Sequence, residues 1–218
     1  MNIASLPAAH ILPGTAVASD EQVRRENLAV AQGLKRKEAG LLDELIVRYQ
    51  HRLMRYLLYL TGNREMAEDL FQEVWMRVLI RGAQYNGNAR FETWLFTIAR
   101  NLVIDQRRKR TMSSLDELVE GTSEDDRAMS FEIADGEPTP FEHFSRLENR
   151  ERIAAALLQL DTLHREVLVL RFHEELSLEE IAKVTQAHLS TVKSRLYRGL
   201  AMIKPKLERL MNPAAEAV

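Results

Sequence analysis

Apolar residues recur at helical spacing through two stretches of the chain and lose that spacing between them. In the first stretch Leu41, Leu42, Leu45, Ile46, Tyr49, Leu53, Tyr56, Leu57 and Leu60 follow i, i+3 and i+4 steps, the mark of one helix face turned to a core. Thr61-Gly62-Asn63 interrupts the pattern, and Asn63 is suited to cap the helix that follows. There Leu70, Phe71, Val74 and Val78 form the next core stripe. Gly82 to Asn88 reads as a loop with Gly87 as its turn residue, and a further helix is expected from about Phe91 to Arg110. The spacing returns after Arg146, first through Ile153, Ala156, Leu157 and Leu160, then through Val167, Leu168 and Leu170.

Outside these stretches the periodicity is absent. Residues 1–25 hold Pro7, Pro13 and Gly14 and are expected to form a flexible tail. Gly121, Gly136, Pro138 and Pro140 lie among acids between the two periodic stretches, which marks a linker. The expected fold is all-α. Two small helical domains, 26–110 and 146–210, flank a flexible acidic linker at 111–145, with a short tail at 211–218.

Charge sharpens this division. The net charge of −2 averages over unlike parts. Residues 1–110 carry 17 bases and 12 acids, residues 111–149 carry 2 bases and 11 acids, and residues 150–218 carry 11 bases and 9 acids. Two mildly basic blocks therefore flank an acidic connector. With 218 residues and 45% hydrophobic content, there is material for real cores. The absence of cysteine excludes disulfides and thiolate metal sites and fits a reducing cytosol, so a cytoplasmic protein is expected. No apolar run is long enough to span a bilayer, and the first residues lack the basic start and apolar block of a signal peptide.

Candidate chemistry begins near the C-terminus. Ser177, followed three residues later by Glu180, forms a capping box that starts a helix, and Leu178, Ile181, Ala182 and Val184 give that helix an apolar face. Ser190 is placed to cap a second helix, whose Val192, Leu196 and Leu200 are expected to face inward. The turn position where glycine is usual holds Gln186, which demands strain or a shifted turn. Ser190, Thr191, Lys193, Ser194, Arg195 and Arg198 are left for duplex DNA: Arg and Lys bond guanine edges or phosphates, and Ser and Thr contact either. From Lys193 to Arg209 the only acid is Glu208, and Pro205 is expected to kink or end the helix. A solvated basic helix face is the plainer reading of the same residues.

Two further stretches make the pattern specific. One is Ala67-Glu68-Asp69-Leu70-Phe71-Gln72-Glu73-Val74-Trp75; the other runs from Phe91-Glu92-Thr93-Trp94 through Asn101 to Asp105 and on to Arg107-Arg108-Lys109-Arg110. With the helix pair downstream, the chain resembles the group IV, extracytoplasmic-function sigma factors of bacterial RNA polymerase over about residues 38–110 and 146–210. The resemblance implies a region 2 domain, a linker in place of region 3, and a region 4 domain that reads the minus-35 element. It implies that Asp69, Gln72, Glu73 and Met76, beside Ile80, dock on the clamp helices of the polymerase beta-prime subunit.

It also implies that the loop from Gln84 to Arg90 and the next helix handle the minus-10 element. Tyr85, Asn86, Asn88, Arg90 and Phe91 supply the stacking surfaces and polar groups that an unstacked base requires, and Asn101 lines its pocket. Arg107, Arg108 and Lys109 grip phosphates, with Arg100 extending that grip. The linker threads toward the active-site cleft, where its acids mimic nucleic acid. The implied partners are core polymerase through its beta-prime and beta subunits, promoter DNA and an anti-sigma factor, without insertion into a membrane. Trp94, Ile98 and Leu102 share a face that reads as core, and Trp75 fits either core or interface.

Other classes stay open on sequence alone. A stand-alone helix-turn-helix regulator binding DNA as a dimer accounts for the C-terminal pair but not for the loop at 84–90 or the bases at 107–110. An enzyme finds no support in the motifs: HExxH, a phosphate-cradling glycine loop and a suggestively spaced Ser/His/Asp set are all missing, so no cofactor, metal or catalytic residue is expected. His164 and His173 read as surface or structural.

Overall fold

The computed structural model describes residues 13–116 and 151–211, with side chains at 21–110 and 151–209. The described elements are all helical: α1 (Pro13–Arg36), α2 (Leu41–Thr61), α3 (Arg64–Arg81), α4 (Phe91–Asp116), α5 at residues 151–158, α6 (Thr162–Leu168), α7 (Leu178–Thr185) and α8 (Leu189–Met211). A 3-10 turn at Gly82–Gln84 and a π-helical turn at Val169–His173 complete them.

The N-terminal block differs from expectation at its start. Residues 13–25 belong to α1 and are not a tail, while residues 1–12 lie outside the described part. No proline or glycine interrupts the chain between Gly14 and Gly33, and Arg25 pairs with Glu21 at 3.2 Å one turn away. The helix is held from its other side. Ala31 is buried, the Asn27 side chain accepts a hydrogen bond from Phe91 N at 3.3 Å, and Leu34 lies beside Gly82. Gly87 adopts the expected left-handed turn at φ +75°. A Cβ there would sit 3.1 Å from the Asn27 carbonyl oxygen, so any other residue would add backbone strain and push the loop a few tenths of an ångström from α1.

The core of this block follows the apolar stripes. Leu53, Tyr56 and Leu57 of α2 meet Val74 and Val78 of α3 and Leu95, Phe96 and Ala99 of α4, all fully buried. Burying each large side chain contributes about 1.5–3 kcal/mol. Asn63 caps α3 as expected, its side chain accepting from Met66 N at 2.8 Å. Because no glycine or proline follows before residue 116, α4 continues to Asp116. Arg107–Arg110 therefore lie within the helix and not at its end, and the first six residues assigned to the linker are helical. The rest of the expected linker, with residues 146–150, lies outside the described residues.

In the C-terminal block Asp161 caps α6, and both halves of the Ser177–Glu180 capping box are present, at 3.1 and 2.8 Å. Gln186 ends α7 at φ 52°, so the chain accepts left-handed strain where glycine is usual. α8 begins at Leu189, which puts Ser190 inside the first turn and not at the cap. The helix passes through Pro205 to Met211 and does not end there. Val192 and Leu196 face inward as expected, and Gly199, where an added Cβ would lie 3.2 Å from Leu168, and Ile203 continue that face, whereas Leu200 is exposed. In α5 it is Ala154 that is buried and Ile153 that is exposed.

The two blocks touch. α7 packs on α4, and α6 with the π-helical turn packs on α2. Arg165 joins them through backbone: its guanidinium donates to the carbonyls of Leu157, Leu158 and Leu160 at the end of α5, and to the Tyr59 carbonyl of α2 at 2.8 Å. It thereby satisfies helix-end oxygens that have no partner within their own helix.

Candidate nucleic-acid and polymerase interfaces

Three faces carry the residues singled out by sequence. The first is on α3. Asp69, Gln72, Glu73 and Met76 are all exposed, and Leu79 and Ile80 extend the face at 57% and 71% exposure. Three large apolar side chains left in water on one helix are a mark of a protein-binding surface. Trp75 turns the other way into the core, and its Nε1 is the one buried side-chain polar atom without a partner among the described residues. Between α3 and α4 runs a groove of about 650 Å³, with Asp69 and Glu73 on one wall and Arg108, Lys109 and Arg110 on the other.

The second face is the loop at 84–90 with α4. Here the expected stacking surfaces are not available. Tyr85 and Phe91 are 4% and 2% exposed. Their rings pack with Tyr49 and Trp94 at centroid distances of 5.2–5.8 Å. The Tyr85 hydroxyl donates to the Ala89 carbonyl at 2.6 Å, so it braces the loop from beneath. Tyr85 and Phe91 meet edge to face and the other pairs are tilted, and this packing is worth more to these rings than solvent exposure. The polar members do reach the surface. Asn86, Asn88 and Arg90 are exposed, and Asn88 and Arg90 line a cleft of about 490 Å³ whose other walls hold Asn27 of α1 and Glu180 and Lys183 of α7. α1 thus forms one wall of the cleft.

Further along α4, the same helix side meets the C-terminal block. Asn101 is exposed, and its Oδ1 accepts from Gln186 Nε2 at 3.4 Å. Arg100 turns inward and donates from Nε to Glu166 at 2.9 Å, and Arg107 bonds the Leu60 carbonyl and the Thr162 hydroxyl. Arg108 and Lys109 stay exposed.

The third face is the first half of α8. Ser190, Lys193, Ser194 and Arg198 are exposed, while Thr191 and Arg195 are half-buried. An exposed basic helix preceded by a capped helix and a tight turn is the geometry that enters a major groove.

Sequence reasoning missed the charges between the blocks. Glu174, with a fully buried side chain, accepts from Arg52 at 2.7 Å and from Arg55 at 3.2 Å. Glu166, 3% exposed, takes Arg100 and the Tyr56 hydroxyl, the latter at 2.9 Å. Burial pushes the Glu166 carboxyl above its ordinary value, against the opposing pull of Arg100, the Tyr56 bond and Arg195. A signal was present in the sequence: Glu166 directly precedes the apolar run Val167–Leu170, and Glu174 stands between Phe172 and Leu176, where an unpaired carboxylate would be costly.

An all-helical chain with a helix-turn-helix block and an exposed basic second helix belongs structurally with DNA-binding proteins. Comparison with known proteins narrows this. Residues 45–112 match the model of Sigma-70 region 2, and residues 150–203 match Sigma-70, region 4. The chain is 32% identical to the ECF RNA polymerase sigma factor SigW of Bacillus subtilis (strain 168), over 81% of its own length and 94% of that protein's. It is 33% identical to SigX of the same organism, over 74% of this chain and 81% of that one. The fold is also that of the sigma factor RpoE from Bartonella quintana, solved in complex with the anti-sigma factor NepR. That match has a TM-score of 0.63 and 22% identity, and covers 78% of this chain and 98% of that one. The chain belongs to the extracytoplasmic-function sigma factors of the sigma-70 family.

Proposed function

We propose that the chain engages core polymerase and promoter DNA through the three faces described. The α3 face, with Asp69, Gln72, Glu73 and Met76 at its centre and Leu79 and Ile80 at its edge, docks on the beta-prime clamp helices. The cleft beside Asn86, Asn88 and Arg90, together with Asn101, receives an unstacked base of the minus-10 element. Arg108 and Lys109, with Arg100 and Arg107 once released, hold the adjoining phosphates. Tyr85 and Phe91 act as the scaffold of the loop and not as its stacking surfaces. Thr191, Lys193, Ser194, Arg195 and Arg198 read the minus-35 element from the major groove, and Ser190 contacts its phosphate edge.

The observation that carries this reading is the pairing, on one chain, of an exposed apolar-acidic helix face with an exposed basic recognition helix. Neither DNA face need bind tightly alone, because both are tethered to one polymerase, which raises their effective concentration. No described helix is long and apolar enough to cross a membrane, in keeping with action beside the polymerase in the cytoplasm. An anti-sigma factor is the regulatory partner to expect, since the RpoE structure holds one. The chain itself contributes positioning and strand capture; the nucleotidyl transfer belongs to the core enzyme.

Run-off transcription with core polymerase and a genomic promoter library tests the whole. Wild-type chain is expected to direct initiation from a defined promoter set. Asp69→Arg is expected to lose core binding at least tenfold with an unchanged melting temperature. Normal core binding by this variant would remove α3 from the docking surface.

A further inference from the structure

The loop at 84–90 holds less of what an unstacked base needs than its residue types suggest. Tyr85 and Phe91 are buried beneath it, and Asn86 spends its Oδ1 on Asn88 N at 3.0 Å. Asn88 and Arg90 are left to line the cleft, and Arg90 is drawn toward Glu92 at 3.4 Å. A flipped base takes hydrogen bonds along its edge and rests its face on aromatic or apolar side chains. From the loop itself only the Ala89 methyl offers such a surface in the cleft.

The missing surface stands on α1, where Val23, Arg24, Asn27 and Leu28 line the same cleft. These four share one helix face, at i, i+1, i+4 and i+5 from Val23. Leu28 is 40% exposed, and its Cδ2 lies 3.1 Å from where a Cβ on Gly87 would stand, so its side chain reaches over the turn of the loop. Asn27 is held in one orientation. Its Oδ1 accepts from Phe91 N at 3.3 Å, one of the first donors of α4 that have no acceptor within their own helix. That bond assigns the amide: Nδ2 is the polar atom left over, and it bonds none of the described residues. Arg24, one turn before Leu28, is exposed and likewise has no partner among the described residues.

We infer that Asn27 and Leu28 of α1 complete the pocket for the unstacked base, which lies between the loop and the helix with its face on Leu28 and its edge at Asn27 Nδ2. The inference rests on the reading of the loop as the minus-10 site. Arg24 then serves the adjoining phosphate. Glu180 and Lys183 line the far wall from the C-terminal block, whereas the loop and α1 belong to one block and carry the pocket by themselves. The arrangement also selects among bases. Asn27 Nδ2 and the Arg90 guanidinium are both donors. Guanine and thymine present a carbonyl oxygen at the edge position where adenine and cytosine present an amino group. An amino group there would set donor against donor and leave both without a partner. The pocket therefore takes guanine or thymine in preference to adenine or cytosine.

Holoenzyme reconstituted from the full-length chain and core polymerase is titrated with single-stranded oligonucleotides of the minus-10 element that run-off transcription identifies. Each carries one of the four bases at one position. Wild type is expected to prefer guanine or thymine at one position. Asn27→Asp keeps an acceptor for Phe91 N but removes the donor, and is expected to reduce that preference about threefold to tenfold, the worth of one hydrogen bond, at that position alone. A merely structural role for Asn27 would weaken binding of all four bases alike. The chain has no cysteine, so Leu28→Cys gives it a single thiol, whose alkylation is read on the chain's own band after electrophoresis. The bound oligonucleotide is expected to protect that thiol. If Asn27→Asp lowers the melting temperature, thiol protection decides by itself. Equal losses for all bases in a folded Asn27→Asp, a thiol alkylated as fast with the oligonucleotide as without it, or a wild-type preference for adenine or cytosine overturns the part of α1. Asn88→Ala that still shifts base preference then leaves the minus-10 reading standing. If neither Asn88→Ala nor Arg90→Ala shifts any preference, that reading falls and the α1 pocket with it.

Discussion

On α8, Lys193, Ser194 and Arg198 stand in solvent with no described partner across the blocks, whereas on α4 Arg100 and Asn101 are held by Glu166 and Gln186. Both faces offer the same chemistry, guanidinium and amide or hydroxyl groups on one side of a helix. They differ in what lies opposite. The recognition helix is the outer element of its block, while α4 is an inner one, packed on α2 and α3 and covered by α7. A count of basic residues treats the two faces as equal. In the structure the α8 residues stand in solvent, while those of α4 meet side chains of the C-terminal block.

The largest effect expected from breaking this difference follows from Glu174. Arg52→Ala with Arg55→Ala leaves that carboxylate buried without a cation. Stranding a buried charge in this way costs about 3–5 kcal/mol. Hydrogen exchange of the backbone amides from Asn101 to Arg107 should then rise as α7 departs, while those of α3 stay slow. Unchanged exchange in both would mean the blocks stay together without these arginines.

Next in size are the base-reading substitutions, which sharpen the comparison because each should report on one face alone. Arg195→Ala should lose about 1–3 kcal/mol of discrimination at the minus-35 element and leave duplex opening intact. Asn101→Ala should slow open-complex formation on duplex promoters and leave minus-35 preference unaltered. Footprinting and permanganate reactivity distinguish the two, and a variant that moves both readouts would show that the faces are coupled through the contact between the blocks.

A smaller effect is expected at Gln186. Its left-handed backbone costs about 1 kcal/mol relative to glycine, so Gln186→Gly should relieve strain at the turn while deleting the bond to Asn101. Thermal unfolding should shift by a few degrees at most, and energy transfer between dyes at Glu65→Cys on α3 and Glu208→Cys on α8, both exposed positions, should fall slightly. A clear loss of stability would mean that the amide, not the backbone, governs this turn.

The smallest effect is with pH. Burial holds Glu166 above its ordinary value, so the packed arrangement of the blocks binds a proton more readily than a separated one, with the group in water, would. That packing is therefore favoured as pH falls toward the ordinary carboxylate range of about 4–5 and loses that contribution as pH rises through the elevated value. Energy transfer should rise modestly on acidification, and the change should be absent in Glu166→Gln. A fall in wild type would mean that the ionised pair with Arg100 dominates.

Much of the chain was legible because its signals are local. The Asn63 cap, the Ser177–Glu180 box and the left-handed turn at Gln186 each depend on residues within one helical turn, and each stands where the sequence puts it. The stripes of α2 and α3 follow helical periodicity, and the exposed acids of α3 fall opposite them. Misreadings arose where a local rule met a distant partner. Pro13 and Gly14 suggested a tail, yet α1 is held by the loop 60 residues on, through Asn27 and Phe91 (64 residues apart). Tyr85 and Phe91 read as base-stacking rings, but Tyr49 and Trp94 enclose them.

By itself the sequence determined that this is an all-helical sigma factor with two blocks, and it marked the exposed acidic face of α3 and the basic second helix of the helix-turn-helix as candidate interfaces. Helix periodicity, capping and motif spacing are short-range properties, written within a few residues. Only the tertiary structure decided which of the candidate residues face water. Glu174 and Arg52 are 122 residues apart, and nothing local to either marks the other as its partner. Their meeting depends on how two finished blocks pack, and with it the difference between α4 residues held across the blocks and α8 residues that stand in solvent.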